Sequence, residues 1–156
     1  MTDYLSAARD LQAFLRKHVP LADAADIKID SYTGELLTAS APLDKNINDK
    51  GTAFGGSLYN LCVVSAWGMA HLKIQELGLT GDLVVAKGEI SYLRPLREHL
   101  IATAQSPGNA QLDRVKQSYR DRGLASLYID VTIFDDQKQL CAEFRGKYAI
   151  IGSQRG

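Results

Sequence analysis

The chain has 156 residues, a length at which one domain buries about two-thirds of the surface that its unfolded form exposes. Its 18 basic and 18 acidic side chains give a formal net charge of zero, which argues against a nucleic-acid-binding protein because such proteins carry an excess of positive charge. Cys62 and Cys141 belong to no CxxC or Cys/His cluster, so we expect two buried, reduced thiols and no metal site.

The chain opens on a polar segment with a helical period. Apolar residues recur at spacings of three and four from Tyr4 to Val19, which predicts an amphipathic helix that ends at Pro20. Because the first ten residues contain no apolar run of the kind found in export signals, we expect a cytoplasmic protein. Ile27–Ser31 and Leu36–Ala41 flank a Tyr-Thr-Gly turn signal and predict a hairpin.

The most informative segment lies between Lys50 and Lys73, where 22 residues include no Asp, Glu, Lys or Arg. A bilayer-spanning helix needs about 20 predominantly apolar residues, but the strongly apolar part here covers only Leu61–Met69. In a soluble chain, a helix that is apolar nearly all round is buried. We therefore predict a core helix, and no membrane span, from about Gly55 to Leu77, with Gly78 ending it.

After Gly81 the pattern is that of a sheet, and the predicted count adds about four strands and no helix. The strand-like segments are Leu83–Leu93, Leu100–Gln105, Leu127–Ile133 and Gln139–Ile151. Consecutive strands pair mostly antiparallel, and they must cover the apolar helix. We therefore predict a single α+β domain over residues 1–156, in which a curved antiparallel sheet wraps around the long helix. This arrangement is called the hotdog fold.

Two motifs flank the predicted core helix: NDKGTAFGGSL at residues 48–58 and ISYLRP at residues 90–95. With them the chain resembles the hotdog-fold acyl-thioesterases. It is most similar to the thioesterase domain that some bacterial proteins carry behind a GNAT-type acetyltransferase domain. The 156 residues have no room for an acetyltransferase domain as well, so acetyl transfer is not predicted.

The resemblance implies a hydrolase of acyl-CoA or acyl carrier protein thioesters that uses no metal or redox cofactor. It also implies a homodimer or a larger homo-oligomer, with active sites at the subunit interface. Pairing between subunits would cover the edge of the long Leu83–Leu93 strand. An exposed strand edge promotes aggregation, and proteins usually pair or block it.

The glycines at the start of the helix predict where a thioester carbonyl binds. The first N–H groups of a helix have no partner within it and lie at the positive end of its dipole. The N–H groups of Gly55, Gly56 or Ser57 would hold the thioester oxygen as negative charge develops on it. The alternative is that the glycines only permit close packing or a tight turn.

Asn48 and Asp49 are the remaining catalytic candidates. The resemblance assigns Asn48 to orienting water or substrate, and the alternative is an ordinary turn former. Asp49 is the nearest carboxylate and would act as a base, or as a nucleophile through an anhydride. Its ordinary pKa of about 3.9 makes it a weak base unless it is desolvated, so a solvated, non-catalytic Asp49 is the alternative.

The chain departs from the family pattern at two positions. Phe54 stands where many relatives have a His before the glycines, and Val63 stands where many carry an acid on the helix. Both departures argue against dehydration, and they leave Asp49, then Glu89, as replacement acids. They also favour the rival function, a non-catalytic module that binds acyl thioesters or has a regulatory role.

Substrate contacts are assigned to six residues near the motifs: Phe54, Gly55, Ser57, Asn60, Ser91 and Arg94. On a helical wheel, one narrow arc contains Ser57, Asn60, Val64, Gly68 and His71. This arc faces either an acyl or pantetheine channel, or a polar neighbour and a small-residue helix contact.

Overall fold

The computed structural model describes residues 2–152. Its helices and strands, numbered in chain order, are α1 (Tyr4–His18), α2 (Pro20–Ala24), β1 (Lys28–Tyr32), β2 (Leu36–Ala41), α3 (Gly55–Glu76), β3 (Asp82–Tyr92), β4 (Leu100–Gln105), α4 (Asn109–Arg122), β5 (Leu124–Phe134) and β6 (Leu140–Ile151). The six strands form one sheet in the order β1-β2-β4-β5-β6-β3, and every neighbouring pair is antiparallel. The predicted α+β hotdog fold is confirmed.

The long helix α3 is the centre of the core because it packs against all strands from β2 to β6. Leu61, Cys62 and Met69 have no exposed surface, as expected for a helix without a charged face. Gly78 adopts a φ of 70° directly after the last turn, a left-handed conformation that suits glycine and ends the helix where the sequence predicted. Within residues 2–152, no helix has the length and hydropathy needed to cross a membrane.

The strands β5 and β6 supply much of the core face of the sheet, together with β2 and β4. Leu127, Ile129 and Ile133 are fully buried while the residues between them face outward, which confirms the predicted alternation. The buried Tyr148 of β6 donates a hydrogen bond to the carbonyl of Val63 at 2.8 Å. The middle of α3 is therefore held to the middle of the sheet.

Two helices were missing from the predicted count. The first helix ends at His18, just before Pro20 as predicted, but Pro20 also begins the short helix α2, because a helix's first residue needs no N–H partner. The segment after β4 forms α4, although the prediction placed only sheet after Gly81. Val115 is its one buried residue, and its apolar stripe consists only of Leu112, Val115 and Tyr119, which the prediction overlooked.

Glutamine side chains close two stretches of strand edge. Gln12 of α1 accepts a hydrogen bond from the N–H of Ile29 in β1 at 2.5 Å. Gln111 of α4 accepts one from the N–H of Tyr128 in β5 at 2.6 Å, where β5 extends past its pairing with β4. The strand β3 differs because it pairs only with β6 and most of its residues are exposed. The outer edge of β3 is thus the open edge of the described sheet.

Candidate active site

The first turn of α3 leaves two backbone donors unused. The N–H groups of Ser57 and Leu58 both donate to the carbonyl of Phe54, at 2.9 and 3.0 Å. Phe54 caps the helix with extended backbone and makes no side-chain hydrogen bond. In the described part of the chain, the N–H groups of Gly55 and Gly56 have no acceptor. Two of the three predicted oxyanion donors are therefore available to a ligand.

The fold places little demand for glycine at position 55 but more at position 56. Neither Gly55 nor Gly56 has a left-handed φ, and a Cβ on Gly55 would come no closer than 3.5 Å to its nearest neighbour, Tyr92. A Cβ on Gly56 would meet the ring of Phe54 at 2.5 Å, so a side chain at this position requires that ring to move. Close packing or a tight turn thus explains Gly55 less well than the approach of a ligand does.

Two clefts open on either side of these glycines. The first, which we call the amide cleft, has a volume of about 340 Å³ and is lined by residues that include Leu21, Lys45, Asn46, Gly56, Ser57 and Asn60. The second, the leucine cleft, has a volume of about 320 Å³ and is lined by residues that include Gly55, Leu58, Tyr92, Leu93, Arg94 and Leu96. Gly56 lines the amide cleft and Gly55 lines the leucine cleft, and each cleft has both polar and apolar side chains.

The side chain of Asn48 organises the loop before α3. Its Oδ1 accepts hydrogen bonds from the N–H groups of Lys50 at 2.9 Å and Thr52 at 3.1 Å. Its Nδ2 donates to the hydroxyl of Thr52 at 2.8 Å. Asn48 is therefore a turn former, and its action on water or substrate stays a prediction.

Asp49 lies on the same loop but points into solvent. Its side chain is 81% exposed and forms an ion pair with Lys50 at 3.2 Å. Nothing in one protomer desolvates this carboxylate, which is the condition under which it would become an effective base.

Asn46 is the residue of this region that sequence reasoning missed. It is 3% exposed, and its Nδ2 donates to the carbonyls of Ala25 at 3.0 Å and Pro42 at 2.8 Å. Its own carbonyl accepts a hydrogen bond from the N–H of Phe54 at 2.8 Å. Asn46 thus ties the ends of α2 and β2 to the start of α3, yet nothing in the polar loop sequence distinguishes it from Asn48.

Two predicted residues of β3 lie away from the helix start. Gly88 and Ile90 face α3, where the hydroxyl of Tyr59 and the ring of Phe144 lie within 3.2 Å of the position that a Cβ on Gly88 would take. Glu89 and Ser91 therefore face the opposite side of the sheet, in a depression shared with charged residues of β5 and β6. The Lys87 ammonium, hydrogen-bonded to Glu89, holds the pKa of that carboxyl below its usual range. Within one protomer, Glu89 and Ser91 do not join the glycines.

The predicted arc of α3 divides between two environments. Ser57 and Asn60 line the amide cleft, whereas Gly68 packs against Leu11 of α1. The ring of His71 stacks on Trp67, with centroids 4.8 Å apart, and burial lowers the pKa of His71. Among the described residues, only the first turns of the arc, at Ser57 and Asn60, line this cleft, and the rest of the arc packs against α1 and Trp67.

The interior of α3 offers no nucleophile. Burial raises the pKa of the Cys62 thiol to about 12, so it remains protonated at neutral pH. Cys62 and Cys141 are both free and buried, as predicted. Val63, at the position where relatives often carry an acid, is partly buried against the core. Among residues 2–152, no three side chains of His, Cys, Asp or Glu gather as metal ligands would.

A larger groove of about 580 Å³ lies between α1 and β1. Its charged side chains include Arg9, Arg16 and Lys17, and no residue of the two sequence motifs lines it. We place the candidate active site at the start of α3 because the unused N–H donors are there.

Comparison with known proteins gives a consistent result. Residues 8–152 match the family model YiiD_C, described as "Putative thioesterase (yiiD_Cterm)". A protein of unknown function from Chlorobaculum tepidum is 33% identical over 94% of both chains, with a TM-score of 0.90. The "putative thioesterase from Shewanella oneidensis" is 30% identical over 94% of this chain and 98% of its own, with a TM-score of 0.80.

A more distant structure supports the fold. The thioesterase HI1161 from Haemophilus influenzae is 16% identical over 96% of this chain and 94% of its own, with a TM-score of 0.72. The resemblance seen in the two motifs therefore extends over nearly the whole chain.

Proposed function

The chain belongs to the YiiD_C thioesterase family, and from this we propose that it hydrolyses acyl thioesters of coenzyme A or acyl carrier protein. We further propose that residues 1–156 form one domain of a cytoplasmic homodimer. The two free cysteines are consistent with a reducing compartment. The observation that carries the proposal is the pair of unpartnered N–H groups at Gly55 and Gly56, located between two clefts.

In the proposed reaction, water attacks the thioester carbon and the carbonyl electron pair moves onto oxygen. The N–H of Gly56, assisted by that of Gly55, donates to this oxyanion at the positive end of a 22-residue helix. The intermediate then collapses, the carbon–sulfur bond breaks, and the thiolate leaves. The proton lost by the attacking water passes through a base to the thiolate, so the products are a carboxylic acid and a free thiol.

The base that we propose is Asp49, with Asn48 holding the loop that presents it. Because the side chain of Asp49 is 81% exposed, this role requires a second subunit that covers it and removes water from around it. The open outer edge of β3 supports such an assembly, since exposed strand edges are normally paired or blocked. Pairing of two β3 strands would also bring Glu89 and Ser91 near the partner subunit.

The central experiment removes the backbone donors one at a time. Proline lacks an N–H and is tolerated in the first turn of a helix, so Gly56→Pro and Gly55→Pro each delete a donor, while Gly56→Ala and Gly55→Ala keep it. We expect Gly56→Pro to lower kcat by about 10²–10³ relative to Gly56→Ala, the effect of one oxyanion donor. Thiol release from acyl-CoA measures kcat, and circular dichroism checks the fold.

The result that contradicts this site is full activity in both proline variants. A smaller loss in Gly55→Pro than in Gly56→Pro is expected, because we assign Gly56 as the principal donor.

A second experiment tests the loop and the rival function. Asp49→Asn removes the proposed base, and Asn48→Ala removes the side chain that shapes the loop; we expect kcat to fall in both. If neither substitution changes the turnover, the hydrolase proposal stands, but the roles proposed for Asp49 and Asn48 are wrong. Binding of acyl-CoA without turnover at any chain length would instead identify the non-catalytic binding module, which the apolar Phe54 and Val63 favour.

A further inference from the structure

We propose that a depression between α4 and the neighbouring strands β5 and β6 binds a phosphate group. We call it the arginine pocket. It has a volume of about 290 Å³ and is lined by Gln111, Arg114, Ser118, Ser126, Tyr128 and Arg145. Leu127 and Ile129 are fully buried in the core, so Tyr128 between them faces the side of the sheet opposite to α3. The arginine pocket is therefore separate from the candidate active site, and this inference does not rest on the proposed function.

The arginine pocket carries an excess of positive charge. Two guanidinium groups and no carboxylate belong to its lining, and Arg114 forms no ion pair within residues 2–152. Arg122 lies at the rim, because its Nη2 donates to the hydroxyl of the lining residue Ser118 at 3.1 Å. Lys147 is the strand partner of Tyr128 and projects from the same face of the sheet. In a chain whose formal net charge is zero, this concentration of cations favours an anionic ligand.

The hydrogen-bond acceptors of the arginine pocket are already used within the fold. The Oε1 of Gln111 accepts the N–H of Tyr128 at 2.6 Å. The hydroxyl of Ser118 accepts from Arg122 and donates to the carbonyl of Leu124 at 2.7 Å. Because the Oε1 of Gln111 is engaged, the free end of this carboxamide is its Nε2 donor. The fold thus consumes the acceptors of this pocket.

The donors, in contrast, remain free. Within residues 2–152, the hydrogen bonds just described are the only ones that the lining side chains make. The guanidinium of Arg114 and the hydroxyls of Ser126 and Tyr128 are therefore available. Arg145 pairs with Asp130 only through Nε, at 3.4 Å, which leaves its Nη groups. Its guanidinium carbon lies 5.2 Å from the centre of the Tyr128 ring, a cation–π contact that holds it over the strand.

A phosphate group matches a pocket whose free groups are donors. It presents several acceptor oxygens, and the planar fork of an arginine binds two of them at once. A carboxylate has only two oxygens and would leave most of these donors without a partner. The pocket volume of about 290 Å³ is at the lower end of the range for small-molecule sites, about 300–1,000 Å³. This size suits a phosphate with a few attached atoms.

An NMR titration with inorganic phosphate at constant ionic strength tests the site. We expect Arg114→Gln to raise the dissociation constant about tenfold or more, the value of one hydrogen bond between charged groups. Arg120→Gln is the matched control, because it removes an exposed arginine of the same helix that does not line the pocket. It should leave the constant unchanged. Equal constants for the two variants, or no saturable binding to the wild type, would overturn the proposal.

A gain of affinity provides a result that misfolding cannot produce. Asp130 competes with the ligand for Arg145, and we expect Asp130→Ala to lower the dissociation constant for phosphate about twofold to fivefold, the value of an exposed ion pair. Asp113→Ala removes the same charge from an exposed position of α4 outside the pocket lining and should change nothing. An unchanged constant in Asp130→Ala overturns a site built on both arginines.

The same titration locates the ligand. Changes in amide chemical shift should concentrate at residues 111–118 and 126–128. The free N–H groups of Gly55 and Gly56 are the competing anion site, so changes confined to those two residues overturn the assignment. No thioester turnover enters these measurements, and their outcome is independent of the proposed hydrolase.

Two further ligands identify the source of the phosphate. Ribose 5-phosphate that binds more tightly than inorganic phosphate supports a phosphorylated metabolite as the occupant, and equal binding supports free phosphate. Ribose is the neutral control and should not bind. If ribose binds as tightly as ribose 5-phosphate, the phosphate is not what the pocket recognises, and the proposal is wrong.

Discussion

The two ends of α3 differ in whether their polar groups have hydrogen-bond partners. At the start, two N–H donors have no acceptor among residues 2–152, and the side chains of Phe54 and Tyr92 are each 54% exposed. Toward the other end, Lys73 is 7% exposed, forms an ion pair with Glu76 at 3.0 Å and donates to the carbonyl of Gly34. Tyr32 adds a hydrogen bond to Glu76 at 2.7 Å.

The difference separates groups that stabilise the fold from groups that are available to a ligand. Burial raises the pKa of the Tyr32 phenol, so it stays protonated and keeps donating to Glu76. Every polar group in that cluster meets another group of the same chain. At the helix start the corresponding groups meet none, and chemistry is expected there.

The largest expected effect concerns the inert middle of the helix. The pKa of Cys62 is raised to about 12, so at pH 8 its thiolate fraction is more than about a thousandfold below that of a free cysteine. We expect no alkylation of Cys62 by iodoacetamide in the native protein and full alkylation in urea. Mass spectrometry of the labelled peptide measures this, and rapid native labelling would show that the middle of α3 opens.

The next prediction concerns the Lys73–Glu76 ion pair near the C-terminal end of α3. Glu76→Ala leaves the Lys73 ammonium without its carboxylate, and we expect a loss of about 3 kcal/mol in the free energy of unfolding, measured in urea. Adding Lys73→Met should recover most of this loss because the uncompensated charge is gone. Asp130→Ala is the control, since its pair with Arg145 at 3.4 Å is more than half-exposed and should contribute less than about 1 kcal/mol. Equal losses in Glu76→Ala and Asp130→Ala would remove the distinction between the two ends.

A smaller effect concerns pH. Burial lowers the pKa of His71, so the unfolded chain binds its proton at a higher pH than the folded chain does. This contribution to stability is complete above the unfolded pKa of about 6.5 and is lost as the pH falls below it. We expect urea unfolding to show a smaller decrease between pH 7.5 and pH 5.5 in His71→Phe than in the wild type. His99→Gln, which alters an exposed histidine, should keep the wild-type decrease.

The smallest effect sharpens the comparison at the open end. Tyr92→Phe removes the hydrogen bond to the carbonyl of Gly55 but leaves both free N–H groups in place. Because this bond is exposed, we expect the free energy of unfolding to change by less than about 1 kcal/mol. A larger change would mean that the open end also contributes substantially to the stability of the fold.

The sequence predicted the core of this fold well because burial controls its pattern. The uncharged run located α3 almost to the residue, and the alternation in β5 located the sheet face. It missed α2, which has only five residues, and α4, which packs mainly through Val115. The three apolar residues of α4 at helical spacing, Leu112, Val115 and Tyr119, give only a weak periodic signal.

The site was only partly predictable. The helix-start donors follow from the position of Gly55 and Gly56 in the chain, since any helix leaves its first N–H groups unused. The role of Asn46 depends on carbonyls 21 and 4 residues away, which no local pattern reveals. Ser91 was assigned from its motif. Whether its side chain points toward α3 or away from it depends on which face of β3 meets the helix, and the sequence does not specify that face.

The two glutamine caps have a consequence for assembly. A sheet with two free edges can accept a neighbour at each and so continue without limit, which is the route to fibres. Here Gln12 and α1 occupy the edge of β1, and within residues 2–152 the outer edge of β3 is the long edge left open. If two such chains joined edge to edge through β3, related by a twofold axis as we propose, that long edge would be covered in both. Growth then stops at a closed pair, and these caps therefore favour a defined oligomer over an aggregate.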